Sequence, residues 1–266
     1  MKVACIQIQT GEDYSKNVKI ILSLIIKSIK NHADLIITPE TSAIMTNHRS
    51  KLFRYSFNMS TDPLIKKIKI ISKKYKKWIL IGSITIKDKK KLRNRSIMIN
   101  PKGEVEIFYD KISMFDVNLS KNESHNESKI FKSGKKLKIV KLPWGNLGLT
   151  ICYDLRFPEI YRRLSEKNLN FIAVPSAFTK ITGKKHWLTL LKARAIENFC
   201  FIFAPNQSGK NTKNRETFGH SVIISPDGKI IKLKKKGIGI IYAKINPNES
   251  TYLKKIIPSH KIKKLN

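Results

Sequence analysis

The stretch GLTICYDLRFPEIYRRLSEKN, residues 148–168, passes from an apolar strand into a helix within a few residues. Pro158 and Glu159 suit the first turn of that helix, since proline lacks an N–H that goes unpaired there and a carboxylate complements the helix dipole. A strand that turns directly into a helix is typical of α/β proteins. Cys152 lies at the elbow, the turn between strand and helix. Such a turn places a side chain close to backbone N–H groups, which can bind the oxyanion that forms when a nucleophile attacks. A cysteine at a strand end is more often inert packing, so Cys152 is at this point a candidate.

Around this elbow, helices and strands alternate in the first and third quarters of the chain, and hairpins are predicted in the second and fourth. Apolar periodicity predicts helices over residues 15–31 and 184–198 and another that begins near Pro63. The polar segment 118–136 is predicted to be a loop that covers a site. No linker rich in Pro, Gly or Ser divides the chain, so we predict one α/β domain over residues 1–247 and a basic tail over 248–266.

The 266 residues carry a formal net charge of +34, which raises the question of nucleic-acid binding. Lysine supplies 44 of the 53 basic residues and is spread over nearly every polar segment. Base readout and bidentate phosphate contacts favour arginine instead. We therefore expect no specific nucleic-acid partner and interpret the charge as a lysine-biased surface.

Hydropathy and cysteine spacing exclude several other classes of protein. The longest apolar run, residues 20–26, is flanked by Lys19 and Lys27 and is far shorter than the about eighteen residues of a membrane span. The N-terminus begins as a strand without an apolar leader, so we expect a cytoplasmic protein with no membrane association. Cys5, Cys152 and Cys200 fit neither a disulfide framework nor a metal site. We expect Cys5 and Cys200 to pack within strands and expect no metal.

Two further apolar strands end in a charged residue. Glu40 closes LIITPE, where partial desolvation would raise the pKa of the carboxyl toward that of a general base. Lys111 closes EIFYDK, where an ammonium can hold a developing oxyanion and favour a nearby thiolate. Each residue alone is typical of a surface charge. Because open α/β sheets bind ligands beyond the carboxyl ends of their strands, we expect Glu40, Lys111 and Cys152 to meet.

The motifs TPE with Glu40, YDKISMFD with Lys111 and GLTICYDLRFPE with Cys152 resemble, in that order, the carbon–nitrogen hydrolases of the nitrilase superfamily. The resemblance extends from the first strand to the strand near Tyr242. It implies an α/β fold, a four-layer α-β-β-α sandwich of two mixed sheets with helices outside. It also implies a cofactor-free triad in which Glu40 is the general base, Cys152 forms a thioester and Lys111 holds the oxyanion.

The resemblance carries over to further residues of the site. Glu127 in NESK matches a second, supporting glutamate, although a solvated loop carboxylate is an equal interpretation. The backbone N–H of Tyr153 is implied to complete the oxyanion site. The loop PSAFTKITGKKHW resembles a segment that lines the pocket. The substrate-binding residues implied are Tyr153 and, in this loop, Ser176, Phe178, Thr179 and His186.

Within the superfamily, the chain resembles the amidases that act on deaminated glutathione and on omega-amides of short 2-oxo acids, through LRNRSIMINPKGEV, PSAFTKITGKKHW, LLKARAIEN and FGHSVIISPDG. Of the two groups, ARAIENFCFIFAPNQSG is more similar to the first. The resemblance implies hydrolysis of a small carboxylated amide with release of ammonia. Deaminated glutathione is the first expectation and the omega-amides are the alternative. A homodimer joined through helical faces is implied as well. Two other functions stay open. A nitrilase or N-carbamoyl hydrolase would use the same triad with a differently shaped pocket. A nucleic-acid-binding protein with an inactive site would bind duplex DNA with a steep dependence on salt.

Overall fold

The computed structural model describes residues 1–89, 91–120 and 123–259, and in it two six-stranded sheets lie face to face. The first sheet comprises β1 (Lys2–Gln7), β2 (Leu35–Ile37), β3 (Trp78–Asp88), β4 (Lys91–Ile99), β5 (Val105–Asp110) and β16 (Gly239–Lys244), in the order β16-β1-β2-β3-β4-β5. The second comprises β8 (Lys138–Leu142), β9 (Gly145–Leu149), β10 (Phe171–Ala173), β11 (Phe201–Ala204), β14 (Ser221–Ile224) and β15 (Ile230–Lys234), in the order β15-β14-β11-β10-β9-β8.

Both sheets are mixed. Strands β1, β2 and β3 run parallel in the first sheet, and β9, β10 and β11 run parallel in the second. The other neighbours pair antiparallel. Strand β5 therefore points the same way as β3, because β4 is antiparallel to both. The carboxyl ends of β2 and β5 consequently lie at the same edge of the first sheet.

Alternating burial along the strands produces the layers. Val3 and Cys5 of β1 belong to the core between the sheets, together with Leu147 and Leu149 of β9. The intervening side chains of β1 belong to a second core beneath α1 (Tyr14–Lys30) and α3 (Pro63–Tyr75). On the outer face of the second sheet lie α4 (Pro158–Ser165) and α6 (Leu188–Asn198). The predicted four-layer α-β-β-α sandwich is confirmed.

Helix starts follow local capping chemistry. The Asp13 carboxylate accepts a hydrogen bond from the N–H of Lys16 at 3.0 Å where α1 begins. Asp62 caps α3 in the same way, with Pro63 at its first position. The helices predicted near residues 15–31 and 63 are therefore confirmed. The helix predicted from residue 184 instead begins as α5 (Lys180–Thr182) and one π turn (Gly183–Trp187) that lead into α6.

The polar segments hold more structure than predicted. Where a loop was expected over 118–136, β6 (Asp116–Ser120) and β7 (Glu123–Asn126) form a hairpin followed by a 3₁₀ turn. Residues 121 and 122 of that segment lie outside the described residues. A second hairpin joins β12 (Ser208–Thr212) and β13 (Arg215–Phe218), and α2 (Arg49–Arg54) was not predicted. Both hairpins lie outside the two main sheets and are mostly polar, so they lack the apolar alternation that marks a core strand.

The C-terminal segment predicted as a tail begins with α7 (Asn248–Ile256). Ser250 of this helix is buried, and its hydroxyl donates to the carbonyl of Phe199 at 2.5 Å. Residues 260–266 of the predicted tail lie outside the described residues. The boundary between domain and tail at residue 247 stays a prediction. Within the part of the chain that the structure describes, no helix combines the length and apolarity needed to span a membrane.

Candidate active site

Glu40, Lys111 and Cys152 lie together at one edge of the sandwich, each just beyond the carboxyl end of a strand. Lys111 directly follows β5, and Glu40 and Cys152 follow β2 and β9 after short connections. The Lys111 Nζ donates to Glu40 Oε1 at 3.0 Å, and the thiol of Cys152 is hydrogen-bonded to the same carboxylate. The structure thus brings the three residues of the sequence motifs into one cluster.

Glu40 is ionised at neutral pH in spite of its burial. Its side chain is 3% exposed, and Oε2 accepts a hydrogen bond from the N–H of Ala177 at 2.8 Å. Burial alone would raise the pKa of the carboxyl, as the sequence led us to expect. The charge of Lys111 and the hydrogen bond from Cys152 outweigh it, so the pKa lies below its ordinary value. Glu40 is therefore ready to accept a proton.

Lys111 is held between two carboxylates. Its Nζ donates to Glu127 Oε2 at 2.8 Å, and that oxygen also accepts the N–H of Phe115 at 2.7 Å. Burial alone would lower the pKa of Lys111, but the charges of Glu127 and Glu40 raise it above its ordinary value. Lys111 stays an ammonium, and two of its three donors are occupied, which leaves one for a ligand. Glu127 is thus part of the cluster and not a solvated loop carboxylate.

Cys152 occupies a left-handed backbone conformation at the elbow, with φ at +48°. Such a conformation is uncommon for a residue other than glycine. The N–H of Cys152 donates to the carbonyl of Pro175 at 3.0 Å. The next N–H, that of Tyr153, lies in the first turn of a 3₁₀ helix (Cys152–Arg156), where helix geometry supplies no acceptor. It is the donor available to an oxyanion.

The Cys152 thiol is neutral in the free protein. Burial, followed by the charge of Glu40, raises its pKa above the ordinary value of a cysteine, while Lys111 lowers it by less. This differs from the expectation that Lys111 would favour a thiolate. The reason is that burial and the charge of Glu40 together outweigh the charge of Lys111. Attack by the sulfur therefore requires a proton acceptor, and Glu40 is the group in place.

Asn94 on β4 is a member of the cluster that the sequence did not reveal. Its Nδ2 donates to Glu40 Oε1 at 2.9 Å and to Glu127 Oε1 at 3.1 Å. It is 3% exposed, and its backbone carbonyl accepts the N–H of Lys111 at 3.0 Å. Asn94 thus fixes the spacing of the two carboxylates. The available signal was an asparagine between two arginines on β4, at a position that the alternation of the strand turns inward.

Asp154 ties the elbow of Cys152 to the strand that ends at Lys111. Its carboxylate accepts hydrogen bonds from Tyr109 Oη at 2.7 Å and from the N–H groups of Ser113 and Ile151, both at 2.9 Å. Burial raises the pKa of Asp154. A buried carboxylate with three donors is a rigid anchor, so the elbow cannot shift relative to β5 without breaking these bonds.

A β-bulge in β3 positions the loop that carries Glu40. The register against β4 shifts between Ile81 and Ile84, and Gly82 lies within the bulge. A Cβ on Gly82 would lie 1.8 Å from the carbonyl oxygen of Thr38, so only glycine allows this approach. The neighbouring Ser83 Oγ accepts the N–H of Thr41 at 2.9 Å. The loop is thereby fixed on both sides of Glu40.

The cluster opens into a cavity of about 260 Å³. The rest of its wall comes mainly from the β6–β7 hairpin, the segment after β10 and the start of β13. Three of the residues that the sequence suggested for substrate binding line it, namely Tyr153, Phe178 and Thr179. The cavity is therefore bounded by the candidate nucleophile on one side and by aromatic and hydroxyl groups on the other.

Ser176 and His186 do not line this cavity. The Ser176 hydroxyl is fully buried and donates to the carbonyl of Val174 at 3.1 Å. His186 Nδ1 faces the guanidinium of Arg156 at 3.2 Å, and burial with the charge of Arg156 lowers the pKa of His186. Arg194 holds the elbow through two hydrogen bonds to the carbonyl of Leu155 at 3.0 and 3.2 Å.

Comparison with protein families agrees with this geometry. The family model for carbon-nitrogen hydrolases matches residues 2–255. The chain belongs to the carbon-nitrogen hydrolase family. This hydrolase is 35% identical over 259 residues to the deaminated glutathione amidase of Yersinia enterocolitica, a match that covers 96% of this chain and 88% of the relative.

Solved structures agree on the fold of this carbon-nitrogen hydrolase. The NitFhit protein of C. elegans superposes with a TM-score of 0.92 at 28% identity; the match covers 99% of this chain and 65% of that longer one. Nit3 of Saccharomyces cerevisiae, a member of branch 10 of the nitrilase superfamily, superposes with a TM-score of 0.86 at 26% identity over 97% of this chain and 94% of its own. The chain is thus an enzyme that hydrolyses carbon–nitrogen bonds other than peptide bonds.

Proposed function

We propose that this enzyme is an amidase that hydrolyses a small carboxylated amide through a thioester on Cys152. One observation carries the proposal: Glu40, Lys111 and Cys152 line one cavity, where the buried carboxylate of Glu40 accepts the ammonium of Lys111 at 3.0 Å. A base, a nucleophile and an oxyanion donor therefore face the same cavity. These are the three groups that acyl transfer requires.

In the first half-reaction, the sulfur of Cys152 attacks the amide carbon while its proton passes to Glu40. The transfer is concerted with attack, because the pKa values of thiol and carboxyl do not favour a free thiolate. The free donor of Lys111 and the N–H of Tyr153 stabilise the oxyanion. Glu40 then donates the proton to the nitrogen, the carbon–nitrogen bond breaks and the amine leaves.

In the second half-reaction, a water molecule takes the place of the amine. Glu40 removes a proton from it, and the oxygen attacks the thioester carbon. The carbon–sulfur bond breaks, the carboxylic acid is released and Glu40 returns the proton to Cys152. Glu127 exchanges no proton in this scheme. It holds Lys111 by its charge and by the hydrogen bond at 2.8 Å.

The substrate proposed first is deaminated glutathione, because the relative from Yersinia enterocolitica carries that name. Tyr153, Phe178 and Thr179, which line the cavity, are proposed to contact it. A second candidate is an omega-amide of a short 2-oxo acid, which the volume of about 260 Å³ favours, since drug-sized ligands occupy about 300–1,000 Å³. The release of ammonia that the resemblance implied applies to an unsubstituted amide, whereas deaminated glutathione would release a dipeptide amine instead.

A substrate panel tests this function, with the disappearance of each substrate measured by chromatography, because amides and nitriles yield a carboxylic acid whereas an N-carbamoyl compound yields an amine, CO2 and ammonia. Deaminated glutathione, an omega-amide of a 2-oxo acid, a nitrile and an N-carbamoyl compound would be compared at equal concentration. We expect turnover of the amides and none in a Cys152→Ala control. Preference for the nitrile or carbamoyl compound would contradict the proposal. So would tight, salt-sensitive binding of duplex DNA without any hydrolysis.

We further propose a homodimer that works in the cytoplasm without a specific nucleic-acid partner. Ile196 of α6 and Tyr252 and Ile256 of α7 are about half exposed or more, as expected of helical faces that bury against a second copy. Cys5, Cys152 and Cys200 are all free thiols, which suits a reducing compartment. Sedimentation equilibrium of the purified protein tests the dimer, and a monomer at micromolar concentration would contradict it.

A further inference from the structure

Arg215 is a cation in the cavity wall that no step of the proposed reaction uses. It begins β13 and lines the same cavity as Glu40 and Cys152. Its Nη2 donates to the carbonyl of Ala177 at 3.1 Å. Its Nε is buried and has no hydrogen-bond partner among the described residues. A buried guanidinium donor without a partner is costly, and a ligand that accepts from it removes that cost.

Arg215 forms no salt bridge with a carboxylate in the part of the chain that the structure describes. Glu216, its neighbour in sequence, points away and pairs with Lys180 at 2.8 Å. The other lysine or arginine of the cavity wall, Lys111, is already bound to Glu40 and Glu127. Without Arg215 the wall would hold two carboxylates against one ammonium and would repel an anion.

The position of Arg215 relative to the reacting groups follows from the Ala177 peptide. Ala177 donates its N–H to Glu40 Oε2 at 2.8 Å and receives Arg215 on its carbonyl at 3.1 Å. The guanidinium therefore lies within about 10 Å of the Glu40 carboxylate, since one residue spans roughly 3.5 Å. An extended chain of four or five carbons from the amide carbon covers much of this distance.

We propose that Arg215 is the specificity-determining residue of this enzyme and binds a carboxylate of the substrate, a few bonds away from the scissile amide. The inference rests on the amidase function proposed above and adds the group that selects anionic amides over uncharged ones. The carboxylate belongs either to the acyl half or to the amine half of the substrate. Both present the planar acceptor that a guanidinium matches.

The expected effect is a change in preference between substrates. A hydrogen bond to a charged group contributes about 1.5–3 kcal/mol, which corresponds to about 10- to 150-fold in kcat/KM. The charge of Arg215 also helps to lower the pKa of Glu40. That influence acts on every substrate alike, so the ratio between a carboxylated and an uncharged amide isolates the binding contribution.

Steady-state kinetics of Arg215→Met and Arg215→Lys test the inference. The substrates are glutaric acid monoamide, with its carboxylate on the acyl half, and pentanamide, which has the same length without charge. N-butanoylglycine and N-butanoylethylamine form the second pair, with the carboxylate on the amine half. Lys213→Met is the matched control, because Lys213 is exposed in the adjacent turn and does not line the cavity.

We expect wild type and Lys213→Met to prefer the carboxylated member of at least one pair by tenfold or more. Arg215→Met should lose that preference, mainly through a higher KM, and Arg215→Lys should recover part of it because it keeps the charge. An equal loss on both members of each pair, or an undiminished preference in Arg215→Met, would overturn the role of Arg215 and leave the amidase function intact. Wild type that hydrolyses none of the four amides would overturn both.

Discussion

Replacing Asn94 with alanine should impair catalysis although Asn94 exchanges no proton. The side chain donates to Glu40 at 2.9 Å and to Glu127 at 3.1 Å, inside a cluster shielded from water. Glu40 keeps Lys111 and the N–H of Ala177 as donors, so one charge-assisted hydrogen bond to the base is lost. Such a bond contributes about 1.5–3 kcal/mol, which predicts a fall in kcat/KM of about 10- to 150-fold.

The pH profile separates this role from general damage to the fold. A donor to the ionised carboxyl lowers its pKa, so its removal raises the pKa of Glu40. The acidic limb of kcat/KM against pH should therefore move to higher pH in Asn94→Ala. Asn94→Asp should lose at least as much activity, since a third carboxylate would face Glu40 and Glu127. A loss below threefold with an unmoved acidic limb would refute the reasoning, with Asn214→Ala in an exposed turn as the control.

Substitutions at four other residues test further parts of the molecule. Lys111→Arg should not restore the activity lost in Lys111→Ala, because a forked guanidinium does not fit where Nζ lies 3.0 and 2.8 Å from two carboxylates. A near wild-type kcat in Lys111→Arg would show that Lys111 is not part of the active site. Gly82→Ala should lower the free energy of unfolding by about 1–3 kcal/mol or more and reduce kcat, since the added Cβ would overlap the carbonyl of Thr38, close to Glu40 in the chain. An unchanged free energy of unfolding together with an unchanged kcat would contradict this. Cys5→Ser and Cys200→Ser should both keep kcat within about twofold. Cys5→Ser should lower the free energy of unfolding by about 1–3 kcal/mol, more than Cys200→Ser. The Cys200 Sγ lies within hydrogen-bond distance of two carbonyls, which a serine hydroxyl at that position can use. Equal midpoints of urea unfolding for the two variants would contradict this difference.

The sequence predicted the parts of the site that lie on strongly patterned elements. Glu40, Lys111 and Cys152 each follow an apolar strand, and that placement is visible without coordinates because parallel strands present their carboxyl ends together. The structure adds Asn94 and Asp154, whose roles depend on hydrogen bonds between elements far apart in sequence. Single-residue patterns carry no information on such pairings.

The protonation states of Glu40 and Cys152 also depend on contacts that the sequence does not show. Burial at a strand end suggested a raised pKa for Glu40, and a nearby ammonium suggested a thiolate at Cys152. The structure reverses both directions. The charge of Lys111 and the hydrogen bond from Cys152 lower the pKa of Glu40 in spite of its burial, and burial followed by the charge of Glu40 raises the pKa of Cys152. Arg215 lies in a polar hairpin without any sequence signal, and only the cavity reveals it.

Rapid-quench intact-protein mass spectrometry with an amide substrate tests the central assignment most directly, namely that Glu40 is the base for a thioester on Cys152. Glu127→Gln should turn over slowly yet accumulate an acyl adduct that peptide mapping places on Cys152. Glu40→Gln and Cys152→Ala should show no adduct. Rapid acylation of Glu40→Gln with none in Glu127→Gln would assign the base to the other carboxylate, and an adduct that persists in Cys152→Ala would contradict the mechanism itself.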